Sequence, residues 1–217
     1  VLEELSRADA GVGVTVAVHT SACTLPILAF GTDEQRSRFV PPLARGGGIG
    51  AFALTEPEAG SDAGALRTKA DPNGDGWTIT GAKQWITNGE HASTFLLFAR
   101  TDSDTPGAKG VSAFVLDADH VRITREEEKL GLNSSVTNDI VVEGAEVGRD
   151  RLLHEEGKGF TVAMATLPTY LLALVAFRWR LMHTLSRPRT IAAVAALALL
   201  PLALEAPAYV PVTALVV

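Results

Sequence analysis

Phe52-Ala53-Leu54-Thr55-Glu56-Pro57-Glu58-Ala59-Gly60-Ser61-Asp62 reads as a strand that turns sharply at Glu-Pro and opens into a loop of small residues. Such a loop lets backbone N–H groups and the Thr55 and Ser61 hydroxyls come close to a planar or anionic ligand. The same stretch also fits a strand followed by a tight surface turn. On spacing alone that plainer arrangement is the commoner one.

Outward from this segment the pattern divides the chain. Toward the C-terminus, from Ile49 to about Val142, apolar residues alternate with a period of two. Short runs rich in β-branched and aromatic residues stand at Ala51–Leu54, Trp77–Thr80, Lys83–Ile86, Phe95–Ala99, Val111–Leu116, Val121–Thr124 and Asp139–Val142. Asn73-Gly74-Asp75-Gly76 and Asn88-Gly89 read as hairpin turns between them. Strands and turns so spaced predict a small antiparallel barrel or sandwich. Toward the N-terminus the chain reads as helical pieces. Thr32 is a fitting N-cap for a helix whose first turn is acidic, Asp33-Glu34, and Pro41-Pro42 is expected to limit that helix. Gly46-Gly47-Gly48 is a flexible joint, and Gly157-Lys158-Gly159 introduces a helix beginning near Phe160.

A second informative segment is Trp85-Ile86-Thr87-Asn88-Gly89, which sets a large aromatic beside a hydroxyl donor. That combination suits covering and hydrogen-bonding a flat heteroaromatic ring. A core Trp beside a hairpin turn explains the same residues.

Taken together, TEPEAGSD followed by KQWITNG resembles the acyl-CoA dehydrogenase family, whose middle β-domain carries both motifs. The resemblance runs from about His19 to Leu167. It takes in TLPILAFGTDEQRSRFVPPLARG, LRTKAD, WTITGAKQWITNG, GVSAFVL, EKLGLNSSVTND and EEGKGFTVAMATL. It implies an α+β architecture: the end of an N-terminal helical domain over 1–47, a mainly antiparallel β-barrel or sandwich middle domain over 48–158, and an apolar, helical C-terminal segment over 159–217 that departs from the family after 167.

The resemblance also implies FAD as cofactor, an acyl-CoA substrate, an electron-transfer flavoprotein as partner and a homo-oligomeric state. The reaction it implies is α,β-dehydrogenation of the acyl-CoA thioester, as in fatty acid β-oxidation, with hydride passing to the flavin. Residue by residue, Phe52, Leu54, Thr55, Gly60 and Ser61 would line the flavin and its pyrophosphate, and Trp85, Ile86 and Thr87 would cover the ring system. Thr55 would bond near the reactive N5 edge, Thr87 would bond the rings, and Ser61 would lie where flavin and acyl-CoA meet.

The catalytic base of the family is a Glu on a helical element after the β-domain, and that stretch falls beyond Leu167. Here the sequence changes character. All 20 glycines, all five lysines and 24 of the 25 acidic residues lie in 1–167, whose 15 basic and 24 acidic residues leave −9. Residues 168–217 hold four Arg and one Glu, no Gly, Lys, Asp, Asn or Gln, and 22 Ala and Leu. Where the family continues with a DGGR-like segment, this chain has Pro168-Thr169-Tyr170-Leu171. No catalytic base is assigned: Glu205 is the only carboxylate in the tail and nothing around it matches. Three readings fit the tail: a frame-shifted continuation, an Ala/Leu-rich helical pair packed on the β-domain, or a two-span membrane hairpin about Arg178, Arg180, Arg187 and Arg189. The expected product is a truncated or impaired dehydrogenase, holding FAD weakly; a non-catalytic flavin- or acyl-CoA-binding remnant and a membrane-anchored module are the alternatives.

Composition excludes other classes. The chain is too apolar for disorder, and Cys23 alone supports neither a disulfide scaffold nor a zinc site. An acidic body without a basic patch argues against nucleic acid. A reduced, cytoplasmic setting is expected. His19, His91, His120, His154 and His183 lack metal-ligand spacing and read as surface or structural groups, although His19 falls in the helical region before the β-domain, near a substrate site. Gly48-Ile49-Gly50-Ala51-Phe52-Ala53 fits a dinucleotide fingerprint in letters but precedes a strand, so its context is wrong. Glu56 is expected to shape the turn with Pro57, and Glu126-Glu127-Glu128-Lys129 to form a solvated loop.

Overall fold

The N-terminal helices form where the caps allow. In the computed structural model, which describes residues 1–164 together with 191 and 195, they are α1 (Leu2–Ala8), α2 (Ala10–Ala17), α3 (Leu25–Phe30) and α4 (Asp33–Ala44). Asp9 caps α2 through its carboxylate, which accepts from the Gly11 and Val12 N–H groups. Thr32 caps α4, as the sequence predicts, and the structure adds a reciprocal box with Gln35. Pro41 and Pro42 do not end α4 but lie inside its last turn. A proline ring suits helical φ, and the turn is closed instead by Arg45 N–H on the Pro41 carbonyl and Gly47 N–H on that of Pro42.

Between α2 and α3, Val18–Thr24 is wound as a π-helix. By length and composition the whole run Ala10–Phe30 is apolar enough to cross a membrane, with a mean hydropathy of 1.6. One side of it is committed to the sheet. Gly50 donates to His19 Nδ1 at 3.0 Å, and the Cys23 thiol lies 3.8 Å from the Thr94 carbonyl. A Cβ on Gly50 would stand 2.7 Å from both Cβ and Sγ of Cys23, so glycine is what admits the helix. Burial pushes the Cys23 thiol up to about 12, leaving it a packing group.

Among the described residues eight strands follow: β1 (Ile49–Ala53), β2 (Lys69–Asn73), β3 (Gly76–Thr87), β4 (Ala92–Arg100), β5 (Val111–Asp117), β6 (Arg122–Glu126), β7 (Thr137–Gly148) and β8 (Leu152–Leu153). They lie in the order β6-β7-β3-β2-β4-β5-β8, with β1 beside β4. The β2–β3 hairpin forms at Asn73–Gly76, with Gly74 at φ +58°. Two expectations are corrected. The Asn88-Gly89 step is not a hairpin: Asn88 sits left-handed at φ +69° and leads through a short 3₁₀ turn to β4, which does not pair with β3.

Nor is the domain closed into a barrel, although its strands pair mainly antiparallel as expected. The sheet is mixed and open, because β1 arrives from the helical region parallel to β4 and β2 meets β4 in parallel at the single pair Lys69–Arg100. The loop and hairpin between β1 and β4 act as the crossover that parallel pairing requires.

β4 is buried on both faces and separates two cores. Leu96 and Phe98 face Cys23, Ile27, Phe39 and Leu43 of the helices, while Phe95, Leu97 and Ala99 face Trp77, Ile79, Ile140 and Val142 of β3 and β7. In the second core the Trp77 ring meets Phe114 edge-on at 5.3 Å. Gln35 ties α4 to the sheet by donating to the Asp150 and Leu152 carbonyls at 2.8 and 2.9 Å. Helix begins again at residue 159, and Phe160 and Val162 are buried against the first core. The compositional break and the three readings of 168–217 lie outside the described residues.

Candidate functional site: a strained tryptophan beside an anchored loop

Strand β3 should carry alternate residues inward, and it does at Trp77 and Ile79 and again at Lys83. Continued, that period would bury Trp85. The ladder with β7 instead slips between Lys83 and Ile86. Trp85 takes φ +61°, its ring is thrown out to 57% exposure, and Ile86 fills the core in its place. A β-branched or bulky residue at positive φ is a strained arrangement, and such strain persists only where the surroundings over-determine it. Here the Trp85 N–H reaches the Asp139 carboxylate at 3.3 Å.

The loop after β1 comes to the same edge. Gln84 N–H donates to the Thr55 carbonyl at 2.9 Å, joining the two segments singled out from the sequence. Glu56 and Ala59 close the Pro57-Glu58 turn by exchanging hydrogen bonds, each 3.1 Å. At its far end the loop is held by Arg100, which donates to the Gly64 carbonyl at 2.6 Å. Gly60 and Ser61 project between these anchors into solvent, and a Cβ on Gly60 would meet nothing within 4 Å.

The Gln84–Thr55 bond sets Thr55 beside Trp85 and half-buried Thr87 on an open shelf, and Gly60 and Ser61 stand exposed farther along the same loop. Phe52, Leu54 and Ile86 have packing roles. The Phe52 ring leans on Phe98 at 5.0 Å, Leu54 packs with the first core and Ile86 lies within the second. A hollow of about 450 Å³ lined by Glu126, Glu127, Glu128, Lys129 and Asn133 shares no residue with the shelf.

Lys83 and Asp139 were not marked by sequence reasoning. Lys83 is buried, with its ammonium 2.8 Å from Glu56 Oε1 and 3.2 Å from the Leu54 carbonyl. The Glu56 carboxylate also accepts from Arg67 N–H, Thr68 N–H and the Thr68 hydroxyl at 2.5, 2.9 and 2.5 Å. Burial pushes the Glu56 carboxyl up, but the charge and hydrogen bond of Lys83, with the Thr68 and Arg67 bonds, hold it below the usual glutamate range. Burial pushes Lys83 down to about 8 against the pull of Glu56. The signal for the pair was Lys83, a charge on the inward-facing period that Trp77 and Ile79 set in β3.

Other groups have local roles. His19 is spent on Gly50, and burial lowers its basicity. Lys129 is no free loop charge: it donates to the Leu132 and Ser135 carbonyls and to the Thr137 hydroxyl. Glu127 is mostly covered, whereas Glu126 and Glu128 are exposed.

Residues 1–47 match the model of the N-terminal domain of acyl-CoA dehydrogenases, and 51–145 that of their middle domain. An acyl-CoA dehydrogenase of Bacillus subtilis (strain 168) is 46% identical over 168 residues, 76% of this chain and 44% of that protein. Butyryl-CoA dehydrogenase from Megasphaera elsdenii superposes with a TM-score of 0.74 at 33% identity, over 93% of this chain and 58% of that one. An acyl-CoA dehydrogenase complexed with FAD from Bacillus anthracis gives 0.73 at 37% identity, over 80% and 29%. The chain thus spans less than half the length of the curated relative it matches. With both domain models in sequence over its described helices and sheet, it belongs to the acyl-CoA dehydrogenase family.

Proposed function

We propose that the shelf is the β-domain half of an FAD site, serving α,β-dehydrogenation of an acyl-CoA thioester. The observation that carries this reading is Trp85. A large aromatic held outward at φ +61° beside an open loop of small residues is a surface prepared for a flat ring. The residues fit the cofactor chemically as well as sterically: Thr55 and Thr87 offer hydroxyls beside the indole, and Gly60 and Ser61 leave the backbone open to a pyrophosphate.

FAD, when bound, supplies the hydride acceptor. The chain's own residues would bind and orient it: Trp85 would cover the ring system and shield it from water, Thr55 and Thr87 would offer it hydroxyls, and Ser61 would stand toward the acyl-CoA. Glu56 takes no proton from substrate, because its oxygens are already committed to Lys83, Arg67 and Thr68. The shelf supplies cofactor binding, and the base that removes the α-proton belongs to another part of the active site. A short acyl chain is the favoured substrate class, on the likeness to butyryl-CoA dehydrogenase. An electron-transfer flavoprotein is the proposed electron acceptor, and self-association is proposed on the family resemblance.

The test is to titrate the purified chain with FAD, record the visible spectrum, and add butyryl-CoA anaerobically. Saturable flavin binding supports the site, and bleaching by butyryl-CoA supports turnover. Colour that persists assigns the chain a binding role without dehydrogenation. Failure to bind any flavin refutes the proposal.

A further inference from the structure

Glu56 and Lys83 are an expensive pair of residues to bury. Their side chains are 6% and 1% exposed, and a buried ion pair is often no more stabilising than apolar side chains of the same volume. Its position is more informative than its energy. The Lys83 ammonium bonds the Leu54 carbonyl and the Glu56 carboxylate, so one group fixes the residues on either side of Thr55. The carboxylate in turn holds Arg67 and Thr68, where the loop returns to the sheet. Lys83 stands where the β3–β7 ladder begins to slip, two residues before Trp85, and Gln84 between them bonds the Thr55 carbonyl.

We propose that the Glu56–Lys83 ion pair is a positioning latch, setting the Thr55–Ser61 loop at a fixed distance from Trp85–Thr87 before the cofactor arrives. Neither residue touches the ligand. The pair acts through Thr55 and Trp85, lowering the ordering cost of binding by holding both halves of the shelf in place. This rests on the FAD reading above.

The experiment compares the full chain with the double variant Lys83→Met/Glu56→Gln, which removes the tie without leaving a lone buried charge. FAD affinity is measured by flavin fluorescence, fold by circular dichroism and melting, and the mobility of residues 57–62 by hydrogen exchange in the FAD-free protein. The double variant is expected to fold like the parent, to exchange faster in the loop, and to bind FAD roughly tenfold or more weakly. A folded double variant with parental exchange and parental FAD affinity overturns the latch and leaves the FAD site standing. A parent that binds no FAD overturns both. Should the double variant fail to fold, Glu56→Gln alone decides. Its one amide oxygen can still accept from Thr68, while the amide NH2 replaces the oxygen that met the Arg67 N–H and the charge that draws Lys83 is gone; the latch requires it to weaken FAD binding and loosen the loop.

Discussion

Replacing Trp85 by Ala and by Gly separates the backbone contribution at this position from the ring. In an ordinary strand interior Gly is less stable than Ala by ~0.5–1 kcal/mol, through its greater freedom when unfolded. Trp85 sits at φ +61°, where an L side chain costs ~1–2 kcal/mol and glycine costs nothing. The ring is 57% exposed, so both variants lose the same modest burial and that loss cancels between them. Subtracting the entropic cost of Gly from the relieved strain leaves Trp85→Gly the more stable of the two by about 0.75 kcal/mol at the midpoints of the two ranges, within a span of ~0–1.5 kcal/mol. For a domain of this size that corresponds to ~1–4 °C in melting temperature. Urea or thermal unfolding followed by circular dichroism reads the difference. An Ala variant as stable as the Gly variant would show that residue 85 is not held in the left-handed region, and the argument from strain would fall. Both variants should lose FAD binding alike, since both lack the indole.

Gly50→Ala places a Cβ 2.7 Å from Cys23; unfolding in urea should show a loss of ~1–3 kcal/mol from overpacking. Gln35→Ala removes two donors from the Asp150 and Leu152 carbonyls as well as half of the α4 capping box. It should cost about 2 kcal/mol and release the helices from the sheet, seen as faster hydrogen exchange in α4. The pH dependence follows from the buried pair. Glu56 titrates below the usual 4.5 when folded, so its contribution is present above that value and is lost as pH falls through its lowered pKa. Lys83 falls from 10.5 to about 8: between those values the unfolded chain holds more protons, and this group favours folding increasingly as pH rises. Unfolding midpoints from pH 3 to 10 check both signs, and Lys83→Met should flatten the alkaline limb.

Local chemistry made much of the fold legible in the sequence. The Thr32 N-cap, the Asn73–Gly76 hairpin and the alternation at Trp77 and Ile79 of β3 depend on neighbouring residues, and each forms as read; β4 and β5, read as part of the same alternation, are instead buried almost throughout. Pairing between distant strands was less legible. Nothing near Ala51–Leu54 states that β1 runs parallel to β4, because that direction is set by a long crossover; the strands do pair mainly antiparallel, as the barrel-or-sandwich reading expects, but they do not close into a barrel. Asn88-Gly89 misled for a related reason. Its left-handed turn exists, but Asn88 spends its amide on the Thr15 and Gly50 carbonyls, joining helix to strand rather than closing a hairpin. Within the site, Thr55 and Trp85 stood out as residue types suited to a flat ligand. Their supports did not: Lys83 and Asp139 act across strands, and the slip that exposes Trp85 is visible only in the ladder.

The central claim is that the loop after β1 and the end of β3 form one cofactor surface. Equilibrium dialysis of FAD against the parent chain and Trp85→Ala, with both shown to be folded, tests it most directly. The account predicts a saturable site binding one FAD per chain in the parent and a marked loss of that site in the variant. Equal binding by the two folded proteins would contradict it.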